Sequence, residues 1–243
     1  MTLIVHRMTN PRSSPILLGG MAGLALLGCV AWPLAPAGAE EAGRRLPEAA
    51  MTARESGLRT ATFAGGCFWG VQGVFQHVKG VTNAVSGYAG GSQASARYEQ
   101  VGTGRTGHTE AVQITYDPSV IRYDELLQIF FSVALDPTQV NRQGPDAGPQ
   151  YRSAIFPADE SQARVAKAYI AQLDGAKAFA KPIATKIESG AFYPAEAYHQ
   201  DYMTLHPTNS YIVVNDAPKL RDLKALFPER ASAQPVLVNR PPA

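Results

Sequence analysis

Cys67, set in the run Gly66-Cys67-Phe68-Trp69-Gly70, is the residue of this chain best suited to nucleophilic or redox chemistry. A helix N-terminus carries partial positive charge and free N–H groups, which stabilise a thiolate and lower the thiol pKa. Two readings stay open on the residues alone. Cys67 is a reactive nucleophile with Phe68 and Trp69 as an apolar pocket wall, or it is a buried structural sulfur packed among rings. The flanking glycines favour the first, because they clear space for a closely approaching ligand.

Glu110, in Gly107-His108-Thr109-Glu110, opens an otherwise apolar run. If buried, its carboxyl has a raised pKa and donates a proton near neutrality; spacing alone favours a surface carboxylate at a strand end. His108 reads as a hydrogen-bonding loop histidine. The breaker-rich loop from Gly144 to Arg152 contains Asp146 and Tyr151 and has the length of a binding loop. Tyr98 and Tyr151 offer phenolic O–H donors, although single tyrosines more often pack. The patch from Phe192 to Tyr202 is dense in aromatic, acidic and histidine side chains, and a helix cap with packing rings accounts for it.

The elements that must position these groups follow from periodicity. Arg59 to Phe63 reads as a strand entering the Gly65-Gly66 turn, and Cys67 to Val78 has helical spacing at Phe68, Val71, Val74, Phe75 and Val78. Strands are expected over 81–88, 109–116, 152–156 and 183–188, and helices over 123–135, 159–173, 195–205 and 218–227. Residues 40–57 lack a sustained apolar period and read as a linker, and 228–243 reads as a loose tail. Mixed strands and helices without an internal repeat imply one α+β domain, a sheet with packed helices.

The first 39 residues read as a signal peptide: Arg7 and Arg12, an apolar run from Ile16 to Leu27, then Ala37-Gly38-Ala39 before Glu40 and Glu41. The competing reading takes Leu26-Leu27-Gly28-Cys29 as a lipoprotein box, with Cys29 lipidated and membrane-anchored. Apolar character continues through Val30, Ala31 and Trp32, so cleavage after Ala39 is preferred. Either route predicts an exported, periplasmic protein without Cys29 as a redox partner. Removing two leader arginines turns 22 basic residues into 20 against 20 acidic ones. A neutral chain gives no basic stripe for nucleic acid.

Taken in order, Gly66 to Gly70, Gly107 to Val112, Asp146-x-Gly148-x-Gln150-Tyr151-Arg152-Ser153 and Phe192-Tyr193-Pro194-Ala195-Glu196 resemble the motifs of the A-class peptide methionine sulfoxide reductases. The resemblance spans roughly residues 58–227. It implies a two-layer α/β sandwich with a ferredoxin-like core and a catalytic domain over those residues. It further implies that Cys67 attacks the sulfur of methionine-S-sulfoxide, that Glu110 protonates the oxygen, and that Tyr98 and Tyr151 hydrogen-bond it. Asp146 would organise the site, and Phe68 and Trp69 would receive the S-methyl group. Cys67 is then left as sulfenic acid.

The sequence departs from that pattern in two places. Gly144-Pro145 precedes Asp146 where the family has Gly-Asn, and Ala147 follows it; and residues 211–243 hold none of the cysteines that resolve the sulfenic acid in many members. The expectation is therefore a one-cysteine, monomeric enzyme without metal or prosthetic group. Its substrates would be oxidised proteins and methionine sulfoxide, and its reductant a thioredoxin-like or glutaredoxin-like protein or a small thiol. The alternatives are a one-cysteine thiol peroxidase, which would need an Arg and a Thr at the cysteine, and an exported ligand-binding lipoprotein.

Overall fold

The computed structural model describes residues 43–238; the leader and Cys29 lie outside them. Six strands form one mixed sheet: β1 (Arg59–Gly65), β2 (Val81–Ala89), β3 (Thr109–Tyr116), β6 (Ser153–Phe156), β7 (Lys186–Ile187) and β8 (Phe192–Pro194), in the order β7-β6-β1-β3-β2-β8. A two-residue hairpin, β4 (Arg142–Gln143) with β5 (Asp146–Ala147), stands apart within the long loop. All neighbours in the large sheet are antiparallel except β6 and β7.

Strand alternation divides the two faces. Phe63 pairs with Val112 on one side and Ile155 on the other, and these three join Ile114 and Tyr116 in the main core. The helices α1 (Phe68–Gln76), α3 (Tyr123–Ile129), α4 (Glu160–Gly175) and α6 (Ala217–Leu226) all send residues into that core. The opposite face is lined by Ala64, Ala89, Ala111, Ala154 and Phe156. This is the expected α+β arrangement, a mixed sheet with helices packed on it.

The helices form for legible reasons. In α4, Gln162, Val165, Ala166, Tyr169 and Leu173 recur on one buried face, and the Asp159 side chain caps the start by accepting from Gln162 N at 2.9 Å. α1 is buried nearly all round, as a helix inside the core must be. Two expected helices are interrupted. The helix over 123–135 continues past Ile129 as a wider turn over Phe130–Ala134. The segment 195–205 breaks at Asp201, whose φ of 59° divides a short turn (Ala197–His199) from α5 (Tyr202–Leu205). Phe192–Pro194 is strand rather than helix cap, pairing Tyr193 with Tyr88.

Both flanking segments correct the reading as linker and tail. Leu46 is 4% exposed, its N–H donates to Ser132 Oγ and its carbonyl accepts from Gln128. Glu55 accepts from Tyr116 Oη at 2.6 Å and from Gln162 at 3.0 Å. At the other end, Ala231 bridges Val78, and the N–H groups of Ser232, Val236 and Val238 donate to His77 O, Gln76 O and Asp201 Oδ1. Neither segment has a period to read, because its partners are single groups on elements far away in sequence. No helix among the described residues is long and apolar enough to cross a membrane.

Candidate active site

Antiparallel pairing decides where the chemical groups meet. β1 ends at Gly65 beside Ser153 at the start of β6, and Tyr88 near the end of β2 pairs with Glu110 near the start of β3. The ends of β1 and β2 and the starts of β3 and β6 therefore share one edge of the sheet. The connections there carry Cys67, Tyr98 and Tyr151, and Glu110 stands on β3 itself.

Gly66 turns the chain from β1 into α1 at φ 84°, and Cys67 follows as the residue just before the helix. Glu110 shares the helix-side face of β3 with Val112, which puts its carboxylate under the start of α1. Oε2 accepts from the backbone N–H of Phe68 at 3.0 Å, and the side chain is buried. Burial pushes the Glu110 pKa up to about 8, reinforced by Asp146 and Asp216 and opposed by the Phe68 hydrogen bond. The acid therefore holds its proton at neutral pH, the buried alternative raised for it from the sequence.

Cys67 departs from the expectation for a helix N-terminus. Its pKa is raised, first by burial and then by the negative charges of Glu110, Asp216 and Asp146; the Trp69 N–H pulls it down but does not prevail. Losing solvation costs a thiolate more than one backbone dipole returns. The resting group is a thiol, and ionisation needs an added partner.

Tyr98 opens α2 (Tyr98–Val101), with its backbone N–H donating to Glu196 Oε1 at 3.0 Å; Tyr88 Oη donates to Glu196 Oε2 at 2.8 Å. Tyr151 ends the turn Pro149–Tyr151. Both phenols are half-buried with raised pKa values, through burial first and then Glu110, so they stay protonated donors. Asp146, on β5, accepts a short hydrogen bond from Tyr211 Oη. Arg152 ties two of the site's loops together: it donates to the carbonyls of Gly107, His108 and Pro149 while pairing with Glu188 through two bonds. His108 accepts from Gly91 N and meets Ser92 O, a loop-holding role.

Phe68 is buried and Trp69 half-buried beside them. The Trp69 indole stacks on Tyr202 with centroids 3.8 Å apart and meets Tyr211 edge-on at 5.9 Å. Its Nε1–H donates to His199 Nδ1 at 3.2 Å. A neutral His199 accepting there carries its proton on Nε2, and burial lowers its pKa, keeping it neutral. That Nε2 is buried without a hydrogen-bond partner among the described residues, surrounded by Phe68, Tyr98 and Tyr198. His199, Tyr202, Tyr211 and Asp216 are thus members of the site that motif reasoning passed over. The density of rings and acids from Phe192 to Tyr202 was the signal for the first two; nothing in the sequence singled out Tyr211 or Asp216.

The two glycines of the cysteine motif serve the chain itself rather than a ligand. A Cβ on Gly66 would lie 2.4 Å from the Gln143 side chain, and one on Gly70 would lie 2.1 Å from Asp216 Oδ1. Gly66→Ala adds both overpacking and an unfavourable left-handed conformation. It should lower unfolding stability by about 2–4 kcal/mol, measurable by urea titration. A loss under about 0.5 kcal/mol would mean that Gln143 gives way freely.

The description "Peptide methionine sulfoxide reductase" belongs to a family model that matches residues 59–231. Peptide methionine sulfoxide reductase MsrA 2 of Mesorhizobium japonicum is 63% identical over 183 residues, covering 75% of this chain and 94% of that protein. The protein of the same name from Synechocystis is 50% identical over 179 residues, 73% of this chain and 84% of its own length. Among solved structures, methionine sulfoxide reductase A of Corynebacterium diphtheriae aligns with a TM-score of 0.54 at 34% identity, over 64% of this chain and 78% of that one. Reduced Mxr1 of Saccharomyces cerevisiae aligns at 0.57 and 32%, over 63% and 87%.

Proposed function

We infer, for a chain that belongs to the peptide methionine sulfoxide reductase family, that it reduces methionine sulfoxide to methionine and so repairs oxidised proteins. The observation that carries the mechanism is the Glu110 carboxyl, protonated at neutral pH and bonded to the N–H of Phe68, the residue after the only described cysteine. Sulfoxide binding would present its oxygen to Glu110, Tyr98 and Tyr151 and its S-methyl group to Phe68 and Trp69. Asp146, fixed by Tyr211, would brace the same side of the pocket.

Chemically, the Cys67 sulfur attacks the sulfoxide sulfur while Glu110 gives its proton to the sulfoxide oxygen, which lowers the cost of breaking the S–O bond. The oxygen ends on Cys67 as sulfenic acid; the substrate sulfur gains two electrons and leaves as a thioether. The Cys67 proton restores Glu110. The S epimer is the proposed substrate, as the resemblance to the A-class reductases implies.

The sequence holds two cysteines, Cys29 and Cys67. With Cys29 in the proposed export leader, the mature enzyme is a one-cysteine form acting outside the cytoplasm as a monomer. Two equivalents of an external thiol, from a thioredoxin-like or glutaredoxin-like protein or a small thiol, would return the sulfenic acid to thiol, releasing disulfide and water. Mass spectrometry after one turnover without reductant should find one added oxygen on Cys67. A Cys29–Cys67 disulfide instead would overturn both the one-cysteine form and the leader.

A further inference from the structure

Asp216 is 0% exposed and its carboxylate fills the space over Gly70. Gly70 lies three residues beyond Cys67, and positions three apart on a helix are neighbours, with about 5–6 Å between Cβ atoms. The carboxylate thus stands one helical turn from the thiol. Lys219 Nζ lies 3.5 Å from Asp216 Oδ1, with 7% of its side chain exposed. This lysine lies inside a continuous helical segment that runs through Ile212–Asp216 into α6, and burying its ammonium carries a desolvation cost. An apolar side chain in its place would take this cation from the buried Asp216 carboxylate.

The groups acting on Cys67 come from every element around it: Glu110 from β3, Asp146 from β5, Tyr98 from α2, Tyr151 from the turn before β6, and Tyr211 and Asp216 from the segment before α6. His199 stands behind Trp69 and Tyr98. The acids among these oppose a thiolate, and Glu110 is silenced by its own proton below about pH 8. Asp216 faces the ammonium of Lys219. We propose that Lys219 is a positioning residue that neutralises Asp216 and thereby keeps Cys67 able to ionise when substrate arrives.

The proposal rests on Cys67 being the nucleophile, yet its test does not need turnover. The pH dependence of iodoacetamide alkylation, read by mass spectrometry on the Cys67 peptide so that Cys29 does not contribute, gives the thiol pKa in the full chain. Lys219→Met, which keeps the volume and removes the charge, should raise that pKa by about one unit and slow alkylation near neutrality about tenfold. Asp216→Asn should shift it down by a similar amount, and the double variant should return close to the parent. Opposite shifts separate electrostatics from loosened packing, which would move both single variants the same way. Unchanged values, or shifts of the same sign, overturn the proposal. Should Lys219→Met fail to fold, Asp216→Asn decides: an unchanged or raised pKa overturns it. Loss of the nucleophile reading would register elsewhere, as sulfoxide reduction surviving Cys67→Ser.

Discussion

Replacing Cys67 by serine should drop sulfoxide reduction, followed with dithiothreitol as reductant, to the uncatalysed rate. The change is nearly isosteric, and Cys67 sits before the helix, so the fold should persist with unaltered circular dichroism. What disappears is the atom that receives the oxygen in the proposed mechanism. A serine hydroxyl is a far weaker nucleophile toward sulfur, and it has no counterpart of the sulfenic acid through which thiols return the enzyme to its starting state. Substrate should still bind, since Phe68, Trp69 and the tyrosines remain. Turnover within tenfold of the parent would end the nucleophile assignment.

Glu110→Gln should cost roughly 10²–10⁴-fold in kcat with little change in KM, the range for losing a general acid. Glutamine keeps the side-chain volume and an oxygen able to accept the Phe68 N–H, so the geometry survives while the proton is lost. Because Glu110 is held protonated up to about 8, the step it drives should weaken as pH rises through that value. The variant should lack that limb.

The same shift predicts a stability difference. Between the ordinary carboxylate range and about pH 8, folded Glu110 keeps a proton that the unfolded chain has released. Its contribution is therefore complete at low pH and is lost as pH rises through about 8. Urea midpoints from about pH 5 to 9 should fall more steeply for the parent than for Glu110→Gln. Parallel slopes would mean that Glu110 ionises normally and is no proton donor.

Periodicity was enough to find β1, α1, β2, β3 and α4, because each carries its apolar face within a few consecutive residues. The short motifs pointed to Cys67, Glu110, Asp146 and Tyr151 as candidates, and the family resemblance added Tyr98. Segments held by isolated long-range bonds escaped that reading. Leu46 and Glu55 dock through Gln128, Tyr116 and Gln162, far away in sequence. Asp201 breaks an expected helix by adopting a left-handed conformation that its own neighbours do not demand.

By itself the sequence pointed to the family and, through that resemblance, to Cys67 and Glu110 as the proposed nucleophile and proton donor, since the motifs depend on residue types in a fixed order. It misjudged the electrostatics. A cysteine before a helix promised a lowered pKa, whereas burial beside Glu110, Asp146 and Asp216 raises it. Only the folded sheet sets Glu110 at the edge where Cys67 lies, only the long loop with its hairpin brings Asp146 there, and only the C-terminal segment delivers Asp216, Lys219 and Tyr211 to it. Charge interactions depend on distance through the folded protein, and distance across the fold is what a linear order of residues does not contain.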